Sequence, residues 1–265
     1  MYIILIFFSL IALLPFIWVI FLSFMNTSEI FSGAFFPTTW RYTNYPEAWR
    51  QARLAMYFTN SLFVVLVAPT LGVTLETLTG YSFAKLRLRK YTWLFYIFLI
   101  GLFIPTEANL LSIMIQTRTM GMHNTLMGLS LAIVGSGMAF GCFLMRNFFR
   151  DIPDSFGESA KIDGAGIHVI FLFIYLPLAK SGIIALAIFR FIGAWNEYNL
   201  SLFILTNSNR WTIPLAVALF RVDLGGRDFG LVFAATVICI LPILFFYILF
   251  QRSFVEGISA GGVKG

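Results

Sequence analysis

Apolar residues run along this chain in long unbroken stretches, and polar residues gather between them. Six stretches stand out, at about 2–25, 56–83, 92–115, 125–148, 178–200 and 229–250. About 20 apolar residues in a helix cross the hydrocarbon core of a bilayer, and each stretch reaches that length. Lipid offers no hydrogen bonds, so each segment must satisfy its own N–H and C=O groups, which a helix does. The runs are evenly apolar and do not alternate every second residue, as barrel strands would. The pattern therefore predicts an all-α, polytopic membrane protein with six transmembrane helices, forming one domain over residues 1–265. Pro15, Pro69, Pro105 and Pro242 lie inside the spans, and each removes one backbone bond and can kink its helix.

The connectors differ in kind. The short segment 84–91 holds Lys85, Arg87, Arg89 and Lys90 without an acid, which marks it as cytoplasmic. Six spans then place both termini and the connector 149–177 on the cytoplasmic side. The outside connectors 26–55 and 201–228 carry Trp40, Trp49 and Trp211, residues suited to the membrane–water interface. The first stretch has no basic segment before it and no small-residue cleavage site after it, unlike a cleaved signal peptide. It also lacks a polar segment ahead of it, so an earlier start to the chain is expected.

Composition narrows the class. Of 265 residues, 59% are hydrophobic and 11% charged, with mean hydropathy +0.87. Soluble domains carry roughly 25% charge. A soluble enzyme, an extracellular disulfide scaffold and a disordered chain are excluded. The formal charge of +6 is met by anionic lipid and calls for no nucleic acid. Cys142 and Cys239 both sit in apolar runs and read as small packed hydrophobes.

The connector 149–177, FRDIPDSFGESAKIDGAGIHVIFLFIYLP, is the most informative segment. Asp151 is placed to cap a helix with Pro153 in its first turn, and Ser155 with Glu158 fits a capping box. Gly164 and Gly166 supply a stop. The expectation is a short cytoplasmic helix of about ten residues, a sharp turn, and a second apolar helix broken at Pro177. The acids Asp151, Asp154 and Glu158 suit the positive end of a helix dipole. A surface helix tied at both ends can transmit motion, or can be an ordinary loop helix.

No G-x-x-x-x-G-K-[ST] occurs, so no phosphate-cradling loop is expected. No nucleophile elbow or Cys–His pairing occurs, and His123 and His168 fall on opposite sides of the membrane with no metal-ligand partner at helical spacing. A membrane enzyme therefore has no chemistry to work with here. Glu76, Glu107, Arg190 and Glu197 fall in or near spans, where a charge costs ~2.5–3.5 kcal/mol at mid-membrane and so faces a cavity or a partner. Arg190 and Glu197, seven residues apart, share a helix face but are too far apart to pair.

Glu158, Ser159 and Ala160, then Gly164, then Ile174, Leu176 and Pro177, fall at the spacing E-A-A, three residues, Gly, nine residues, I-x-L-P. That pattern resembles the signature of the integral membrane subunits of bacterial ABC importers, with Ser159 in place of Ala. Ile162, Asp163, Gly164 and Ala165 look like the family's I-D-G-A. Trp195, Asn196, Glu197 and Tyr198 are similar to the W-N-E-[FY] of carbohydrate permeases. The tail to Gly265 looks like A-G-[AG]-V-K-G, and 121–125 like a looser L-G-L-x-N-T, both of the smaller, maltose-type second permease chain.

The resemblance implies a fold and a set of roles. The connector 149–177 would couple to the ATPase, its short helix between spans 4 and 5 sitting in a cleft on a cytoplasmic ATPase subunit. Glu158, Ser159, Ala160, Lys161, Asp163, Gly164 and Ala165 would form it, with Glu158 meeting a basic residue. Gly261, Gly262 and Lys264, in the cytoplasmic tail 252–265, would reach between two ATPase subunits. ATP and Mg would be bound by that homodimeric ATPase, leaving this chain without a cofactor or an activity of its own. The further partners would be a second permease, an extracytoplasmic sugar-binding protein, a di- or oligosaccharide and membrane lipid, in the bacterial cytoplasmic membrane. Trp195, Asn196, Glu197, Tyr198, Asn199 and Glu107 would line a polar path for the sugar, or else anchor a helix end at the outer headgroups. The competing function is an ion-coupled secondary transporter built on the intramembrane acids, although no inverted repeat is evident.

Overall fold

A computed structural model describes the backbone of residues 2–86, 92–223 and 228–262. Among these residues every regular element is helical. In chain order they are α1 (Tyr2–Leu22), α2 (Thr27–Phe31), α3 (Asn44–Gln51), α4 (Leu54–Lys85), α5 (Thr92–Ile100), α6 (Leu110–Thr119) and α7 (Leu126–Asp151). They continue with α8 (Ser155–Ile162), α9 (Ile167–Ile170), α10 (Leu176–Leu178), α11 (Lys180–Trp195), α12 (Asn199–Ile204), α13 (Ile213–Asp223) and α14 (Phe229–Gly262). Arg87, Arg89 and Lys90 of the basic connector and Lys264 of the tail lie outside the described residues.

Among the described residues four helices are long and apolar enough to cross a membrane alone: α1, α4, α7 and α14. Two bent pairs are together long and apolar enough to make two more crossings, in place of the straight spans expected. Trp93–Phe103 and Thr106–Thr119 meet at 97°. Pro105 has no N–H and disfavours helical backbone in the residue before it, and Ile104 is extended at φ −96°, ψ 112°. Ile167–Leu178 and Lys180–Trp195 meet at 75°, so the fifth crossing begins earlier than 178 and α11 ends at Trp195, short of 200. Phe171–Tyr175 is one wide π turn. Such a turn relieves the clash of Pro177 with the carbonyl four residues back. Pro15, Pro69 and Pro242 stay inside unbroken helices. The last helix runs to Gly262 and takes in most of the segment expected to leave the membrane as a tail.

The chain divides into two units. One comprises residues 1–61 and 207–246. Among the described side chains of α1 only Leu22 is buried, so its apolar surface is free to meet lipid. Just past its end, Asn44 Nδ2, fully buried, donates to Ser23 O (2.9 Å) and Met25 O (3.1 Å). Asn26 and Glu29 form a capping box on α2. The Ser61 hydroxyl accepts from Ile213 N at the start of α13 (2.8 Å). Trp40 packs in an aromatic cluster with Phe21, Phe24 and Tyr42.

The second unit comprises residues 62–206 and 247–265. Within it α7 packs against α5, α11 and α12, and α12 also meets α6. Its cytoplasm-facing core by the expected orientation is Tyr81, Met145, Phe149, Ile170, Tyr175, Ala179 and Leu186.

Candidate functional site

The signature residues build a short helix with one fixed face. The preceding helix α7 ends at Asp151, so Asp151 does not cap the next one. Ser155 is already inside α8, and Asp154 precedes it without a side-chain capping bond. The expected capping box of Ser155 with Glu158 does not form because the helix begins one residue earlier than expected, which puts Ser155 at its first helical position and not at the cap. The Asp154 carboxylate meets the ammonium of Lys85. The end of α8 does form as expected. Gly164 has φ +85°, Gly164 N donates to Lys161 O (3.1 Å) and Ala165 N to Ala160 O (2.9 Å). These two bonds make a Schellman turn, whose left-handed residue is disfavoured for anything but glycine. Gly166, at φ −72°, instead precedes α9.

The inner face of α8 lies on the core of its unit. A Cβ on buried Gly157 would stand 2.5 Å from the Tyr175 hydroxyl oxygen, so only glycine admits this approach. Ala160 and Ala165 pack against the same cluster. The outer face is open: Phe156 is 49% and Ile162 86% exposed, and Glu158, Ser159, Lys161, Asp163 and Gly164 are exposed with them, as is His168. Phe156 and Ile162, six residues apart, stand on different sides of the helix and each offers an apolar contact among polar neighbours.

Lys85, at the end of α4, fastens this arrangement. Its side chain is 5% exposed. The ammonium donates to Ile152 O (2.5 Å) and to the Asp154 carboxylate, and stands 5.3 Å from the centre of the Tyr175 ring. One cation thus holds the end of α7, the start of α8 and the helix that follows it. In sequence Lys85 was readable only as one charge of a basic connector. A cleft of about 450 Å³ lies under α8, bounded by Tyr81, Lys85, Asp154, Glu158, Lys161 and Tyr175.

The residues proposed for a polar path divide in their placement. Asn199 Nδ2 lies 3.4 Å from Glu107 Oε1, bringing together the breaks after α5 and after α11. Glu197 Oε1 accepts from Leu200 N (2.8 Å) at the start of α12. Asn196 turns its amide back onto Ile192 O (3.0 Å). Tyr198 is half-buried. Trp195 is 3% exposed and stacks on Phe191, so its face is given to the helix interior.

One polar pair escaped the sequence pattern. Glu76 on α4 is fully buried, and Arg190 on α11 is 8% exposed. The guanidinium and carboxylate pair through both oxygens, with Nε to Oε2 at 3.0 Å. Arg190 also donates to Ile133 O (3.1 Å) and Val134 O (3.3 Å) on α7. Gly137 and Gly141 make the space, since a Cβ at Gly137 would sit 1.9 Å from Arg190 Nη1 and one at Gly141 2.1 Å from the Glu76 carboxyl. Two glycines one turn apart usually admit a neighbouring helix backbone; here they admit an ion pair. The 114 residues separating its partners hid the pairing, although two opposite charges in apolar spans were its signal.

Comparison with known proteins gives this geometry its context. Residues 76–259 match the family described as binding-protein-dependent transport system inner membrane component. The chain is similar to the diacetylchitobiose uptake system permease protein NgcG of Streptomyces coelicolor, at 35% identity over 97% of this chain and 86% of that one. It is also similar to the trehalose transport system permease protein SugB of Mycobacterium tuberculosis, at 30% identity over 96% and 93%. In fold it resembles a chain from the crystal structure of a bacterial ABC transporter involved in the import of the acidic polysaccharide alginate. That likeness has a TM-score of 0.80 at 24% identity and covers 96% of this chain and 94% of the other.

Proposed function

The chain belongs to the family of binding-protein-dependent transport system inner membrane components, and we propose that it serves an ATP-driven sugar importer as the smaller of two permease chains. It is a multi-pass membrane protein. An ion-coupled transporter working alone is not favoured by this membership. The observation that carries the detailed reading is α8: a helix fixed on its inner face by Gly157 and Lys85, ended by a glycine turn, and open on its outer face.

In this reading α8 docks in a cleft on a cytoplasmic ATPase. Phe156 and Ile162 supply apolar contact, and Glu158 meets a basic residue of the ATPase. Both termini are cytoplasmic. A homodimeric ATPase binds ATP and Mg, and this chain supplies no ATPase site. A second permease completes the path, and an extracytoplasmic binding protein delivers a di- or oligosaccharide. The relatives' names, which speak of diacetylchitobiose and trehalose, support that substrate class. Closure of the ATPase dimer pushes α8, and α8 moves the spans through Lys85 and Tyr175. Glu107, Glu197 and Asn199 lie on the sugar path, and Gly261, Gly262 and Lys264 extend toward the ATPase.

The test is uptake and ATP hydrolysis by the purified complex in proteoliposomes. Glu158→Ala and Gly164→Pro are expected to leave the chain inserted but to cut uptake per ATP at least tenfold. Proline, fixed near φ −65°, cannot adopt the conformation of Gly164. Normal uptake by both variants would sink the docking role of α8.

A further inference from the structure

We infer that a groove between α6 and α7 is a subsite for the hydroxyls of a neutral sugar, an inference that rests on the importer function proposed above. The groove has a volume of about 570 Å³, within the usual range for small-molecule sites. One wall is α6, where Asn109, just before its first residue, Ser112 and Gln116 follow one another at spacings of three and four and so share a face. The opposite wall is α7, with Leu131, Gly135 and Ser136. A Cβ at Gly135 would meet nothing within 4 Å.

Three observations point to a ligand rather than to a packed seam. The first is the backbone. The crossing that includes α6 is broken at Pro105, and irregular backbone at membrane depth is tolerated where it is buried in protein or lines a cavity. The second is hydrogen bonding. Along the long spans Thr59, Thr70, Thr74, Ser130 and Thr236 each spend their hydroxyl on the carbonyl one turn back. The side chains of Asn109, Ser112 and Gln116 have no such bond among the described residues. Ser136 donates to Ile133 O (3.1 Å) and keeps its acceptor lone pairs. The third is charge: among the described residues no ionisable side chain lines the groove. An amide offers donors and an acceptor together, which matches the paired donor and acceptor of each sugar hydroxyl. The apolar remainder suits the C–H faces of a sugar ring. Asn109 also closes the turn that carries Glu107, the acid beside Asn199 on the proposed path.

The experiment uses the assembled importer in proteoliposomes with its binding protein, in a chain carrying Cys142→Ala and Cys239→Ala. Ser112→Cys and Gln116→Cys are made singly and treated with a small hydrophilic thiol reagent during turnover. The probes are diacetylchitobiose, trehalose and maltodextrin. The sugar that the parent complex transports is expected to slow labelling at both positions at least fivefold, and the other sugars are not. Gln116→Leu, close in volume, is expected to lower uptake roughly three- to tenfold, the effect of one lost hydrogen bond, while the complex still co-purifies. Labelling that no sugar slows, or unchanged uptake by Gln116→Leu, overturns the subsite. Labelling blocked without sugar in the complex, but open in the isolated chain, also overturns it, because the partner permease then covers the groove. Parent uptake that persists without ATP would instead overturn the importer reading itself.

Discussion

Two ion pairs in the same unit differ in almost every respect. Glu76 and Arg190 join α4 to α11 across α7 with both side chains under 10% exposed, at 0% and 9%. Lys85 and Asp154 join the end of the same α4 to the start of α8, with Asp154 74% exposed. The first pair is walled in by glycines and further bonded to α7 carbonyls, so neither charge has an alternative partner in lipid. The second has water on one side, and its strength is that of a partly screened contact. The first fixes three helices relative to one another. The second adds a partly screened contact at the start of α8, beside the packing of Gly157, Ala160 and Ala165 on the core of the unit.

The sharpest way to break this comparison is to remove one charge of the buried pair. Arg190→Leu or Glu76→Leu leaves a lone charge in the bilayer and is expected to cost about 3–5 kcal/mol, seen as lost yield and a large drop in detergent melting temperature. The double variant is expected to recover much of that loss. If the double is no better than the singles, the pair is not what holds these helices. Gly141→Val should follow, at about 1–3 kcal/mol, because its side chain claims the space of the Glu76 carboxyl. Lys85→Gln is expected to act differently. The melting temperature should shift little, in line with about 0.5–1 kcal/mol for a half-exposed pair, while uptake per ATP falls several-fold and Lys85→Arg restores it. A fall in stability as large as that of Arg190→Leu would erase the distinction drawn here.

A third carboxylate sets the lower end of the scale. Glu29, outside the spans, has no cation partner among the described residues. Hydrogen bonds from Thr38 and from Asn26 N hold its pKa below the usual glutamate value. A depressed folded-state pKa adds stability above the unfolded value near ~4.3 and loses it as pH falls through the folded value. Backbone amide exchange over 26–38 is therefore expected to quicken only in acid below that range, and Glu29→Gln to remove that pH dependence.

Much of this was legible along the chain. Long apolar runs report the crossings because lipid admits only backbone that bonds to itself. The glycine stop at Gly164 was legible because a left-handed residue leaves few choices. The capping box at Asn26 and Glu29 was present as N-x-x-E and could have been read. The start of α8 was misread because Asp151 is still inside α7 and Ser155 is already inside α8, a boundary that local capping rules do not place to the residue. The bend at Pro105 was allowed by the sequence, but its 97° size was not.

The sequence by itself determined that this chain lives in a membrane as helices, where α8 stops, and which family pattern it carries. These follow from solvent and from local backbone geometry, which act on neighbours in the chain. Tertiary structure alone decided that Arg190 answers Glu76, that Lys85 fastens α8, and that Trp195 faces inward while Asn109, Ser112 and Gln116 face a groove. Those outcomes depend on which helix faces meet, and distance along the chain carries no record of that.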